Sequence, residues 1–130
     1  MSMFSARKLG KNELILEEGS HIVRATFHGT QSMKELEEIN AGMHEDIMYL
    51  KQTGLPALLL IDLSNIQKMT GAQRRYIVNS MDNLGFDKLA IFGGSVFIGM
   101  AARFLISVSH NQARIRYFVE EEPARKWLKD

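Results

Sequence analysis

Residues 13–17 and 22–28 form two short extended-looking runs around Glu18, Gly19 and Ser20, where a glycine permits the tight turn of a hairpin. Ser32 and Glu35 then stand at capping-box spacing, so that each side chain can satisfy a free backbone N–H of a first helical turn. Beyond them Met33, Leu36, Ile39, Met43, Ile47 and Leu50 recur every three or four residues, which predicts a helix with one apolar stripe, stopped by Gly54 and Pro56. Glu37, Glu38, Glu45 and Lys51 fall on its opposite face and belong in solvent. The run Ala57, Leu58, Leu59, Leu60, Ile61 has no polar alternation, the pattern of a central strand covered on both faces, and it is expected to end at Asp62. Thr70 and Gln73 repeat the capping-box spacing and open a second helix through Tyr76, Ile77 and Met81 to the region of Asn83 and Gly85. Residues 88–92 read as a strand, 95–108 as a third helix and 114–119 as the last strand. Glu120, Glu121 and Glu122 before Pro123 mark the start of a short final helix with Ala124, Trp127 and Leu128 facing inward.

The resulting order, ββαβαβαβα, predicts an α/β fold: one domain over residues 13–130, with a mostly parallel sheet of about five strands and helices packed over it. Residues 1–12 are expected to form a flexible N-terminal segment. Strand ends at Asp62 and Phe92 should bring their loops to one carboxyl edge of the sheet, where open α/β sheets bind ligands.

Composition narrows the function. Sixteen Lys and Arg against fifteen Asp and Glu leave no global field to attract nucleic acid. The absence of cysteine removes thiol nucleophiles and thiolate metal sites and fits a reducing compartment. The start of the chain lacks the apolar stretch of a secretory signal, and no apolar run reaches the ~20 residues of a bilayer span. A soluble, cytoplasmic protein is the expectation, with peripheral membrane contact left open.

Three places carry candidate chemistry. Asp62 and Ser64 with Thr70 and Gly71 put an acid, two hydroxyls and a helix N-terminus at the expected edge, an arrangement suited to an anion. The plainer alternative is a capping threonine and an aspartate bonding loop amides. Arg74 and Arg75 lie beside them, pointing in different directions. Gly93, Gly94 and Ser95 could admit a ligand close to the backbone, or form a tight turn with Ser95 as the N-cap; the lysine of a P-loop and dinucleotide spacing are both missing. The third helix is the most unusual. Arg103 is its only charged residue, and Phe97, Met100 and Phe104 join Val96, Ile98, Leu105, Ile106 and Val108 around much of its circumference. A helix apolar on more than one face must bury more than one face: against a second subunit in a homodimer, a hydrophobic small molecule or a lipid, or simply under the first and final helices. His21, His28, His44 and His110 are scattered without metal-ligand spacing, and Gly94-Ser95-Val96-Phe97-Ile98 lacks the closing glycine of a nucleophile elbow. No catalytic set, metal site or cofactor is therefore expected, a small hydrolase using Asp62, Ser64 and Thr70 being the remaining alternative.

The segments Leu59-Leu60-Ile61-Asp62-Leu63-Ser64, Met69-Thr70-Gly71-Ala72 and Lys88-Leu89-Ala90-Ile91-Phe92, with the ending Ile115-Arg116-Tyr117-Phe118 to Trp127-Leu128, resemble the SpoIIAA-like proteins of the STAS superfamily over about the last three quarters of the chain. The resemblance implies a small α/β module that binds proteins or small ligands without catalysis. It also implies a phosphorylation switch at Thr70, which occupies the position of the antagonists' phospho-acceptor serine and is followed by the matching Gly71. Threonine in place of serine, and Met69 where the antagonists carry an acidic or polar residue, depart from that pattern. Kinship of fold with CRAL-TRIO lipid-transfer domains would suit a second role, as carrier or sensor of a hydrophobic molecule at Met69, Phe97, Met100 and Phe104.

Overall fold

The computed structural model describes residues 6–130, in which strands β1 (Ala6–Leu9), β2 (Asn12–Leu16) and β3 (Ile22–Gly29) precede helix α1 (Met33–Gln52). There follow β4 (Leu58–Ile66), α2 (Gly71–Asn83), β5 (Lys88–Phe92), α3 (Val96–Val108), β6 (Ile115–Phe118) and α4 (Glu121–Lys129). The strands lie side by side in chain order, β1 to β3 antiparallel and β3 to β6 parallel. Each parallel step is made through a helix, and α1, α2 and α3 all fall on one face of the sheet, as crossovers of one hand through sequential strands require.

Alternation along β4 divides the interior. Leu59, Ile61 and Leu63 face the three crossover helices, whereas Leu58 and Leu60 face α4 together with Ile22, Ala90, Phe92, Ala124 and Leu128. The larger core, on the crossover side, takes Leu36, Ile39, Met43, Ile47 and Leu50 from α1, each contributing on the order of 1.5–3 kcal/mol by burial. Met33, expected in this stripe, sits at the helix start and remains exposed. Gly42 lets α1 close on the sheet, since a Cβ there would fall 2.6 Å from Leu14 Cδ2.

Two expectations are corrected. Residues 6–9 are not a loose leader but an added edge strand, held to α1 by Arg7, whose Nη2 donates to Asp46 Oδ2 at 2.8 Å; residues 1–5 lie outside the described residues. Strand β4 does not end at Asp62. It continues four residues to Ile66, paired with β3 alone beyond the level of Phe92, because Leu63 and Ile66 still have core to bury.

Candidate functional site

At the start of α2, Thr70 Oγ1 accepts from the Gln73 N–H at 3.2 Å, and the Thr70 N–H donates to Gln73 Oε1 at 3.0 Å, completing the capping box read from the sequence. Gln73 also reaches inward, its Nε2 donating to the Gln31 carbonyl. Gln31 in turn exchanges side-chain hydrogen bonds with Asn12, at 2.7 and 3.1 Å, and Asn12 Oδ1 accepts from the His28 N–H. Asn12, Gln31 and Gln73 are all buried, so an amide network ties the α2 N-terminus to β2 and to the loop after β3. Thr70 itself is exposed, and Arg75 folds back until its Nη1 lies 3.6 Å from where a Cβ on Gly71 would stand.

Asp62 takes no part in that edge. Its side chain points to the α4 face, where Oδ2 accepts from Arg24 Nη2 at 3.0 Å and Oδ1 from the Ser64 N–H at 2.8 Å. Arg24 also reaches Glu121 of α4 and lies over the Phe92 ring. The carboxylate thus closes a structural ion pair on the side of the sheet opposite Thr70, and Asp62, Ser64 and Thr70 do not converge. Ser64 packs on the glycine turn instead, its Oγ standing 2.5 Å from where a Cβ on Gly93 would fall. Gly93 and Gly94 both adopt φ of 87°, a conformation that favours glycine. The Gly93 carbonyl accepts from Tyr117 Oη at 2.7 Å, and Ser95 Oγ caps α3 by accepting from the Ile98 N–H. The pair forms a packed turn, with Ser64 already occupying the approach to Gly93.

Helix α3 buries Gly99, Ala102 and Leu105 against the domain and leaves Val96, Phe97, Met100, Phe104 and Val108 outside, Phe97 at 81% exposure. Neither the first nor the final helix covers them: α4 lies across the sheet, and α3 packs chiefly on β6, α2 and the 3-10 turn at Gln112–Arg114. Between α2 and α3 runs an open groove of about 740 Å³, lined on its apolar side by Val78, Met100, Ala101, Phe104, Leu105 and Val108. Arg74 and Arg75 border one end and Asp82 the other, so both arginines reach the same groove. The Ser109 hydroxyl and the His110 N–H hold the Asp82 carboxyl below the usual carboxylate range.

Under the same helices, against the sheet, is a cavity of about 80 Å³ lined almost wholly by apolar side chains, among them Phe27, Ile39, Met43, Met81 and Leu105. Half-buried Met69, Tyr76, Ile77 and Ile98 line it and also reach the surface. Of its polar lining groups, Ser80 Oγ donates to the Tyr76 carbonyl, while Asn40 Oδ1 is the one buried side-chain N or O atom without a hydrogen-bond partner among the described residues.

A family model described as a domain of unknown function, DUF7793, matches residues 14–130. The chain belongs to the DUF7793 family. No curated protein matches it. Among solved structures, an uncharacterised DUF3478-family protein with a SpoIIAA-like fold from Shewanella loihica PV-4 is similar, with a TM-score of 0.62 and 15% identity over 98% of each chain. At that identity the likeness establishes the fold.

In this DUF7793 chain the carboxyl-edge candidates separate into distinct places. Thr70 and Gly71 form a helix cap beside Arg75, Met69 lines the inner cavity, and Phe97, Met100 and Phe104 lie on the outer face, so these last four do not make one hydrophobic site. Asp62, Ser64, Gly93, Gly94 and Ser95 are engaged in ion pairing, turn packing and capping. Two residues were passed over in the sequence. Arg24 carried no local sign of an ion pair: besides Thr26, two positions on, its partners lie 38 and 97 positions away. Asn40 did carry one, an amide four residues after Leu36 and three before Met43, beside the apolar stripe of α1. No helix among the described residues is long and apolar enough to cross a membrane.

Proposed function

We propose that the protein is a non-catalytic binding module that docks an apolar helix of a protein partner on its α2–α3 face. The observation that carries this reading is the unpaired stripe of Val96, Phe97, Met100, Phe104 and Val108 bordering a groove with cations at one end. Contiguous exposed apolar surface of this kind marks interaction sites, and a groove between two helices suits an amphipathic helix with anchors at i, i+3, i+4 and i+7. Arg74, Arg75 and the positive end of α2 favour carboxylates on the partner at that end. Thr70, one residue from the groove, is where a switch would act: a phosphate would bring about −1.5 to −2 charges beside Arg75 and compete for the cationic end. The dispersal of Asp62, Ser64 and Thr70 supports the non-catalytic half of the reading.

The test is a photo-crosslinking amino acid at Met100, in the full chain expressed in its native cell. A discrete heavier adduct that disappears with Arg74→Glu and Arg75→Glu is the expected result. An adduct of twice the chain mass would make a second copy the occupant and replace the heterologous partner with a homodimer. Absence of any adduct would overturn the docking reading, and equal adduct yield from Thr70→Ala and Thr70→Glu would remove the switch.

A further inference from the structure

We propose that the cavity enclosed by the sheet and helices α1, α2 and α3 binds a small neutral molecule that offers one hydrogen-bond donor to Asn40. This site lies behind the outer face of α3, with Ala101 and Leu105 bordering both it and the groove. A buried amide oxygen with no partner forfeits the hydrogen bonds it made to water, and an apolar residue beside the stripe of α1 would avoid that loss. Asn40 lines a cavity whose other exposed atoms are nearly all carbon. One unpartnered acceptor in a largely apolar chamber, beside a Ser80 hydroxyl that already has a partner, sets the ligand's chemistry: an apolar body with an O–H or N–H. A charged molecule would lose its hydration for no counter-ion, since no charged side chain lines the space.

Water fits less well. A buried water settles where two to four polar groups surround it; here it would find at most Asn40 Oδ1 and the acceptor side of Ser80 Oγ, which already donates to the Tyr76 carbonyl, with apolar walls elsewhere. Size also constrains the ligand. An apolar cavity of ~150 Å³ takes benzene, so about 80 Å³ admits roughly three to five non-hydrogen atoms. The flexible side chain of Met69, at the surface end, can enlarge or close the space.

Pyrrole and furan test this directly, because the two rings have the same size and differ in whether an N–H or an oxygen occupies one corner. The full chain, labelled in its methyl groups, is titrated with each and followed by NMR. Pyrrole should shift the methyls of Ile39, Met43 and Met81, which line the cavity and not the groove, and bind about tenfold more tightly than furan, the worth of one hydrogen bond. Asn40→Leu, checked for folding by its melting curve, should bring the two rings within about twofold of each other. Equal affinity in the unaltered protein overturns the proposal without recourse to any variant. So does the absence of shifts at these methyls, a pyrrole preference that survives Asn40→Leu, or a long-lived water still in contact with Asn40 at saturating pyrrole. Phe104→Ser should leave the titration unchanged, so failure of the docking surface and failure of the cavity are read separately.

Discussion

Helices α3 and α4 flank β6 in the chain and pack on opposite faces of the sheet, and they differ in how completely their surfaces are used. Helix α4 buries Ala124 and Leu128, packs Trp127 at a tilt against Phe118, and pairs much of its polar face. Arg125 donates to Glu17 at 2.6 and 2.8 Å and to Glu121 at 2.7 Å, Lys129 Nζ reaches the Ser20 carbonyl, and Lys88 Nζ reaches the carbonyls of Trp127 and Asp130. Helix α3 is longer and far more apolar, yet it buries only Gly99, Ala102 and Leu105 and presents phenylalanine and methionine outward. A short helix made largely of charged residues is finished by its own domain; a greasy one is not. Hydrophobicity along a helix therefore does not measure how much of it the domain uses.

The largest expected effect lies on the finished side. Leu128→Ala opens the small core under α4 and should cost about 2–4 kcal/mol in urea unfolding. A loss below about 1 kcal/mol would mean that α4 is held by its charges rather than by its apolar face.

Arg125→Met asks what those charges contribute. The Arg125–Glu17 pair is about three-quarters buried, between the weak surface case and the strong interior one, so the loss should be about 1–2 kcal/mol at neutral pH. Chiefly the hydrogen bonds from Arg125, helped by Ser20, hold the Glu17 carboxyl below the usual carboxylate range against burial, which pushes it up. A carboxyl with a depressed folded value contributes stability above its ordinary ~4.3, and that contribution fades as pH falls through the folded value. The gap between parent and variant should thus be constant near neutrality and narrow below about pH 4. A pH-independent gap would assign the loss to the arginine's packing instead.

On the other face, Asn40→Leu should raise stability by about 1 kcal/mol, since it removes an unpartnered acceptor and fills part of the cavity. No gain, or a loss, would indicate that the amide already has a bound partner in solution.

What could be read from the chain follows from the range of each interaction. The helices, their caps at Ser32, Thr70 and Ser95, and the two-sided burial of Leu58 to Leu60 are set by neighbours within a few residues, and they stand where periodicity placed them. Strand β1 escaped because four residues containing Arg7 and Lys8 do not look like a strand until β2 and Asp46 supply partners. Asp62 looked like a strand end because a charge interrupts an apolar run; its bond from the Ser64 N–H is local, but the charge that partners an acid in mid-strand, Arg24, lies 38 positions earlier. The apolar circumference of α3 was legible, but its lack of cover depends on α4 crossing to the far face, which local pattern does not determine.

The smallest stability change should come from the most exposed aromatic residue. Phe97→Ser replaces a ring at 81% exposure, packed on nothing that unfolding would further expose, so the folding free energy should move by no more than about 0.5 kcal/mol. Serine has a helix propensity close to that of phenylalanine, and the Ser95 cap lies outside the change. The consequence belongs to binding instead: Phe97→Ser and Phe104→Ser together should lower the crosslink yield from Met100 at least about tenfold, as expected when aromatic anchors at an interface are removed. If the double variant instead lost more than about 2 kcal/mol of stability, these side chains would be covered within the free protein. The contrast between α3 and α4 would then vanish, because both helices would be finished by their own domain.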